Sequence, residues 1–224
     1  FKDYLSYRSI RVIISQCKPD IVIANSAKPI IYAGIAMSYF PKIRFFPLIT
    51  GLGYGFTEGD GIKRKIIQQL MIVLYRKGLK RAASIIFQNP DDEKLFYKLK
   101  IILKNMSTHI VHGSGVDLDL YPFSPLPKKP IFLMLARLLI DKGVREYVES
   151  ARIVKARFPK AIFQLAGRQD SNPSGINSNE LKFWIKEGHI QYLGEISPVQ
   201  KIIASCRFYV LPSYREGTPR SVLE

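Results

Sequence analysis

The sequence predicts an α/β protein built from two doubly wound parallel sheets. Three observations predict it. Apolar runs at 20–24, 44–50, 84–88, 109–112, 131–136, 161–166, 190–193 and 208–212 alternate with helix-like segments along almost the whole chain, the pattern of strands joined by crossover helices. Most of these runs are continuous in Val, Ile, Leu and Phe rather than alternating with polar residues, as strands covered on both faces must be. Pro122, Pro125, Pro127 and Pro130 crowd one short stretch, which marks a domain boundary. The expected domains are 1–126 and 127–224, two similar Rossmann-like units with a cleft between them.

The helices carry their own signals. From 62 to 82, Ile66, Leu70, Val73 and Leu74 mark an apolar face, and Lys63, Arg64, Lys65, Arg76, Lys77, Lys80 and Arg81 gather towards the two ends. That face either covers the first sheet or rests on anionic headgroups, and the cations could dock the protein electrostatically in both cases. Asn89-Pro90-Asp91-Asp92 offers a cap, a first-turn proline and two acids near the positive end of a helix dipole. From 144 to 156, Val144, Tyr147, Val148, Ala151 and Val154 form one apolar face. Ser197-Pro198 repeats the cap-then-proline pattern.

Composition bounds the class. Hydrophobic residues at 47% and charged residues at 23% exclude a disordered chain. The 34 Lys and Arg against 18 Asp and Glu give a net charge of +16, which calls for an anionic partner: a phosphorylated substrate, anionic lipid or nucleic acid. No interleaved aromatic-and-basic recognition motif accompanies the charge, so nucleic acid is the weakest of the three. No apolar run reaches the ~18 residues of a membrane span. Cys17 and Cys206 lie far apart beside strand-like runs, which suits small buried thiols in a reduced, cytoplasmic protein. The His and Cys spacing gives no metal-site pattern. The chain begins at Phe1 and stops at Glu224 inside an apolar, helix-like stretch, so both ends are expected to be cut.

Two segments could carry chemistry. The run 208–212 leads into Ser213-Tyr214-Arg215-Glu216-Gly217-Thr218-Pro219-Arg220 and then Ser221-Val222-Leu223-Glu224. Gly217 and Thr218 allow a turn, and Pro219 suits the first position of a helix. A strand's carboxyl end meeting a helix N-terminus is where open α/β sheets place ligands and bind phosphate. Glu224 is expected about five residues into that helix, ~8 Å along its axis. Glu216 and Glu224 could then grip hydroxyls at either end of a sugar nucleotide. The plainer alternative makes Glu216 a cap and Glu224 a solvated side chain.

The run 131–136 leads into Arg137-Leu138-Leu139-Ile140-Asp141-Lys142-Gly143 and a helix. Arg137 and Lys142 thus reach the same rim as Glu216. A diphosphate leaving group needs cations there: Arg clamps oxygens bidentately and Lys supplies a compact point charge. A solvated basic loop is the alternative.

These residues, in this order, resemble the retaining glycosyltransferases of sequence family 4. Val111-His112-Gly113-Ser114-Gly115-Val116-Asp117 is similar to that family's interdomain turn, with His112 to Gly115 in place of the usual Pro-Asn-Gly. Leu165-Ala166-Gly167-Arg168 and Leu193-Gly194-Glu195-Ile196 resemble its nucleotide-side segments. The resemblance implies a GT-B architecture, an acceptor domain followed by a donor domain. It implies Arg137 and Lys142 on the diphosphate, Glu216 on the donor sugar and Glu224 on the ribose. Gly167, Arg168, Gly194, Ile196, Gly217, Thr218, Pro219 and Arg220 would line the donor site. The acceptor side would include Gly51, Leu52 and Gly53. Thr50-Gly51-Leu52 stands where many relatives have a His, so no catalytic His carries over.

More narrowly, the wording around 51–54, 137–147 and 213–224 is similar to enzymes that extend saccharides on polyprenyl diphosphate carriers with UDP-galactose or UDP-N-acetylgalactosamine. The implied activity is retaining transfer from a nucleotide sugar, with no metal or other cofactor, at the inner face of a bacterial membrane. A nucleotide-sugar epimerase on the same fold, and a basic nucleic-acid-binding module, are the alternatives.

Overall fold

A computed structural model describes residues 2–52, 56, 62–172 and 174–224. The chain divides into two compact units, Phe1–Ser114 and Gly115–Glu224. The division falls inside the Val111 to Asp117 segment read as an interdomain turn, twelve residues before the expected 126/127 boundary. The proline-rich stretch is held by the second unit. Arg207 Nη1 donates to the Pro127 carbonyl at 2.9 Å, and Ile162 N–H donates to Pro130 O at 3.0 Å.

The first unit runs α1 (Lys2–Cys17), β1 (Ile21–Asn25), α2 (Ala27–Ala36), β2 (Arg44–Ile49), α3 (Ile62–Leu79), β3 (Ile85–Phe87), α4 (Pro90–Lys98) and β4 (Thr108–Ile110). Its sheet is parallel in the order β1-β2-β3-β4. The second unit runs β5 (Ile131–Leu135), α5 (Val144–Arg157), β6 (Ile162–Ala166), α6 (Ser178–Lys186), β7 (Gln191–Gly194), α7 (Gln200–Ser205), β8 (Phe208–Tyr209) and α8 (Arg220–Leu223). Its sheet is parallel in the order β7-β6-β5-β8. All eight apolar runs are therefore strands. Their coverage is uneven: Ile49, Ile85, Phe87, Leu133, Met134 and Leu165 are buried, whereas Ile21 and Ile23 of β1 are exposed.

Local chemistry explains where several elements start. Asn89 Oδ1 accepts from Asp92 N–H at 2.7 Å and caps α4, with Pro90 in its first turn. In α5, Val144, Tyr147, Val148 and Ala151 are buried, as their spacing predicts. The Tyr147 hydroxyl reaches the Phe132 and Gln164 carbonyls at 3.0 and 2.8 Å, locking α5 across β5 and β6. Burial pushes that hydroxyl's pKa well up.

Four expectations need correction. Ser197 does not cap α7: the first helical hydrogen bonds run to the Val199 carbonyl, so the helix opens at Gln200. Pro219 precedes α8 instead of occupying its first position, and α8 is a single turn. Cys206 is buried, but Cys17 ends α1 on the surface. In α3 the buried residues are Ile72, Tyr75 and Leu79, while Ile66, Leu70 and Val73 are exposed. No helix of the described residues is long and apolar enough to cross a membrane.

The first unit's core gathers Phe56, Tyr75, Phe87 and Phe96, with Tyr75 and Phe96 edge-to-face at 5.2 Å. Helices α2 and α3 cross at Gly34 and Gly78, where a Cβ on Gly34 would stand 1.8 Å from the Gly78 carbonyl oxygen. Gly34→Ala is expected to push the two helices apart and cost about 1–3 kcal/mol. Thermal unfolding should show the lowered midpoint.

Candidate functional site

The strand order of the second unit makes the site. From β5 the chain moves one way to β6 and β7, then returns to the opposite side of β5 at β8. The connections therefore part in opposite directions between β5 and β8, and ligands of open α/β sheets bind outside the strands' carboxyl ends at that point. Arg137 and Lys142 lie on the loop after β5, and Glu216, Gly217, Thr218 and Pro219 on the loop after β8.

Backbone contacts bring these two loops together. Gly143 adopts a left-handed φ of 73°, and a Cβ there would lie 2.2 Å from the Pro212 carbonyl oxygen. Only glycine meets both demands. Tyr214 N–H donates to Asp141 O at 3.1 Å, and the Tyr214 hydroxyl donates to Glu146 Oε1 at 2.6 Å. Zipped in this way, the loops place Lys142 Nζ 2.5 Å from Glu216 Oε1, with side chains 25% and 24% exposed. Two of the expected site residues thus touch. The Tyr209 hydroxyl donates to the Leu135 carbonyl at 3.3 Å; burial first, and then the charges of Glu216 and Glu224, raise its pKa.

Arg137 turns to a different partner. Its Nη1 lies 3.1 Å from Asp170 Oδ2. The Asp170 carboxyl is held below the usual range, first by the Asn172 backbone N–H and then by Arg137, with the charge of Arg168 adding to it. Arg137 bonds this carboxylate directly, while Arg168 acts on it through charge. Gly167 seats this group, since a Cβ there would meet the Ala136 carbonyl oxygen at 1.8 Å. Gly167 N–H donates to Gly194 O at 2.7 Å, which joins the ends of β6 and β7. Ile196 is half-buried against the Leu133, Ala166 and Cys206 cluster.

Glu224 stands immediately after α8, not within a longer helix. It pairs with Arg220 at 2.9 Å and its side chain is 8% exposed; burial first, and then Glu224, raise the pKa of the Tyr121 hydroxyl. Gly51 and Leu52 follow β2 in the first unit, where Leu52 is buried. Gly53 lies outside the described residues. Among the described residues, no group of three or more His, Cys, Asp or Glu side chains could hold a metal ion.

Sequence reasoning overlooked Asp170 and gave Tyr214 no role. The signal for Asp170 was a carboxylate two residues past Arg168 on a cation-rich rim. Tyr214 sat in the right motif, but its hydrogen bond to Glu146 crosses 68 residues, beyond the reach of local pattern.

Comparison with known proteins gives a consistent picture. A family model described as glycosyl transferase 4-like matches residues 2–89, and one described as glycosyl transferases group 1 matches residues 122–224. The N,N'-diacetylbacillosaminyl-diphospho-undecaprenol alpha-1,3-N-acetylgalactosaminyltransferase of Campylobacter jejuni is 35% identical over 208 residues, 85% of this chain and 52% of its own length. The UDP-Gal:alpha-D-GlcNAc-diphosphoundecaprenol alpha-1,3-galactosyltransferase of Escherichia coli is 24% identical, over 100% of this chain and 59% of its own length. The chain spans about half the length of the curated relatives it matches. The crystal structure of an Anabaena protein in complex with UDP and glucose superposes with a TM-score of 0.70 at 15% identity, over 91% of this chain and 55% of that one. At that identity the likeness establishes the fold.

The Gly143 contact generates a prediction. Gly143→Ala combines a left-handed backbone with a collision against Pro212, and is expected to cost about 1–3 kcal/mol. Calorimetry should show the loss.

Proposed function

The chain belongs to the group 1 and 4-like glycosyltransferases, of GT-B fold, and on that premise we propose that it transfers a hexose or N-acetylhexosamine from a nucleoside diphosphate sugar to a polyprenyl-diphosphate-linked saccharide. The donor is a UDP-sugar. Transfer proceeds with retention at the anomeric carbon and without a metal ion. The setting is the cytoplasmic face of a bacterial membrane, in the assembly of a cell-surface glycan. The names of the two curated relatives, both acting on undecaprenyl-diphosphate-linked sugars, support the acceptor class. The name of the second supports UDP.

One observation carries the donor half of this reading: the Lys142–Glu216 pair bridges the loops after β5 and β8, where the sheet's connections part. As the bond from the anomeric carbon to the β-phosphate oxygen breaks, negative charge grows on that phosphate. Lys142 and Arg137 stabilise this charge more strongly than that of the bound donor, which lowers the barrier. Asp170 engages one N–H of the Arg137 fork, whose geometry provides five donors. Glu216 holds the Lys142 ammonium before the donor arrives and orients the sugar once it is bound. Glu224, held by Arg220, accepts from the ribose. Gly51, Leu52 and Gly53 contribute to the acceptor side.

Lys142→Ala and Arg137→Ala are each expected to cut turnover at least about 100-fold while leaving the unfolding midpoint near that of the parent. The assay follows nucleotide release from a panel of UDP-sugars with lipid-linked acceptors. Near-normal turnover in both variants would contradict the assignment.

A further inference from the structure

An open cleft of about 630 Å³ lies on the first unit, between α1 and the turn that follows α2. Clefts of this size take small organic ligands. Arg8, Arg11, Val12, Ser15 and Gln16 line one wall. Their spacing of i, i+3, i+4, i+7 and i+8 puts them on one face of α1. A stripe of that spacing is ordinarily apolar, yet here only Val12 is. Tyr39 and Phe40 form the facing wall. The two walls precede β1 and β2 in the chain, so the cleft lies towards the strands' amino ends. Gly51 and Leu52, assigned to the acceptor side, follow the carboxyl end of β2. The cleft is therefore a separate place on the same unit.

The chemistry of its walls selects an anion. The Arg11 guanidinium lies 3.7 Å from the centre of the Tyr39 ring and 5.8 Å from that of Tyr7. Stacking on Tyr39 fixes the guanidinium plane and presents its N–H edge to a ligand. Arg8, one turn away on the same face, is exposed. The one acid of α1, Asp3, pairs with Lys28 at 2.8 Å. From residue 4 to residue 57 the chain has six Lys and Arg and one acid, Asp20. Among the described residues no carboxylate lines the cleft. Two guanidinium forks suit a dianionic phosphate ester, with three free oxygens, better than a carboxylate with two. Val12, Tyr39 and Phe40 add apolar surface for the group that carries the phosphate. A concave wall encloses one discrete ligand, which a flat lipid surface would not fill.

We propose that this cleft binds a soluble organic phosphate. Arg8 and Arg11 hold the phosphate, the Ser15 hydroxyl and the Gln16 amide donate to its remaining oxygens, and Val12, Tyr39 and Phe40 pack on the ester group. The site is independent of the transfer chemistry at the Lys142 rim.

Calorimetric titration with phenyl phosphate tests it, with saturating UDP present to occupy that rim. The parent should bind phenyl phosphate at least about tenfold more tightly than benzoate, which offers the same ring with one charge and two oxygens. Arg8→Gln and Arg11→Gln should each weaken phenyl phosphate binding at least about tenfold, with the fold checked by circular dichroism; Arg8 is exposed, so its replacement leaves the core untouched. Both variants should keep nucleotide release in the UDP-sugar assay, where failure of the transfer reading would show on its own. Equal phenyl phosphate binding by the parent and both variants would overturn the proposal. So would equal binding of benzoate and phenyl phosphate, the result expected of a cleft for an acidic peptide. Binding to phosphatidylglycerol vesicles that depends on Arg8 and Arg11, without saturable binding of phenyl phosphate, would overturn it in favour of a lipid headgroup.

Discussion

An ammonium and a carboxylate from loops 74 residues apart meet at 2.5 Å because two strands that are distant in sequence are neighbours in the second sheet. Strand β8 pairs with β5 instead of extending the sheet beyond β7. Had the chain continued past β7, two strands would stand between the Glu216 loop and the Lys142 loop. The features around the pair serve this convergence. Gly143 lets the loops approach, Tyr214 fastens one to the first turn of α5, and Gly167 lets the next strand end close in. The site is thus a consequence of topology secured by a few backbone contacts.

The electrostatics follow from that placement. A unit charge pair at 4 Å is worth about 4 kcal/mol at the effective dielectric of a partly exposed protein site. In the proposed reaction, a phosphate that gains a second negative charge as its sugar departs would roughly double this attraction, and the increment would belong to the transition state. At rest the same cations are held by Glu216 and Asp170. Carboxylates that hold a lysine and an arginine in place before the substrate arrives reduce the ordering entropy lost on binding.

Much of this was legible in sequence. Eight continuous apolar runs became eight strands, and Asn89 capped its helix as its side-chain chemistry requires. The order of Arg137, Lys142 and Glu216 placed them on one rim, and the structure brings Lys142 and Glu216 into contact. Periodicity failed where a helix has two apolar faces. In α3, Ile72, Tyr75 and Leu79 compete with Ile66, Leu70 and Val73, and the pattern alone cannot say which set the sheet takes. The partners Asp170 and Glu146 were hidden because their contacts join segments far apart in the chain. The start of α7 was misplaced because Val199, which bears no capping side chain, accepts its first hydrogen bonds.

The central claim is that the rim of the second sheet recognises a β-phosphate through Lys142. Calorimetric titration with UDP and with UMP, on the parent and on Lys142→Met, tests this most directly. The account predicts that the parent binds UDP at least about tenfold more tightly than UMP, and that the ratio falls towards one in the variant. An equal UDP-to-UMP ratio in both proteins would contradict it.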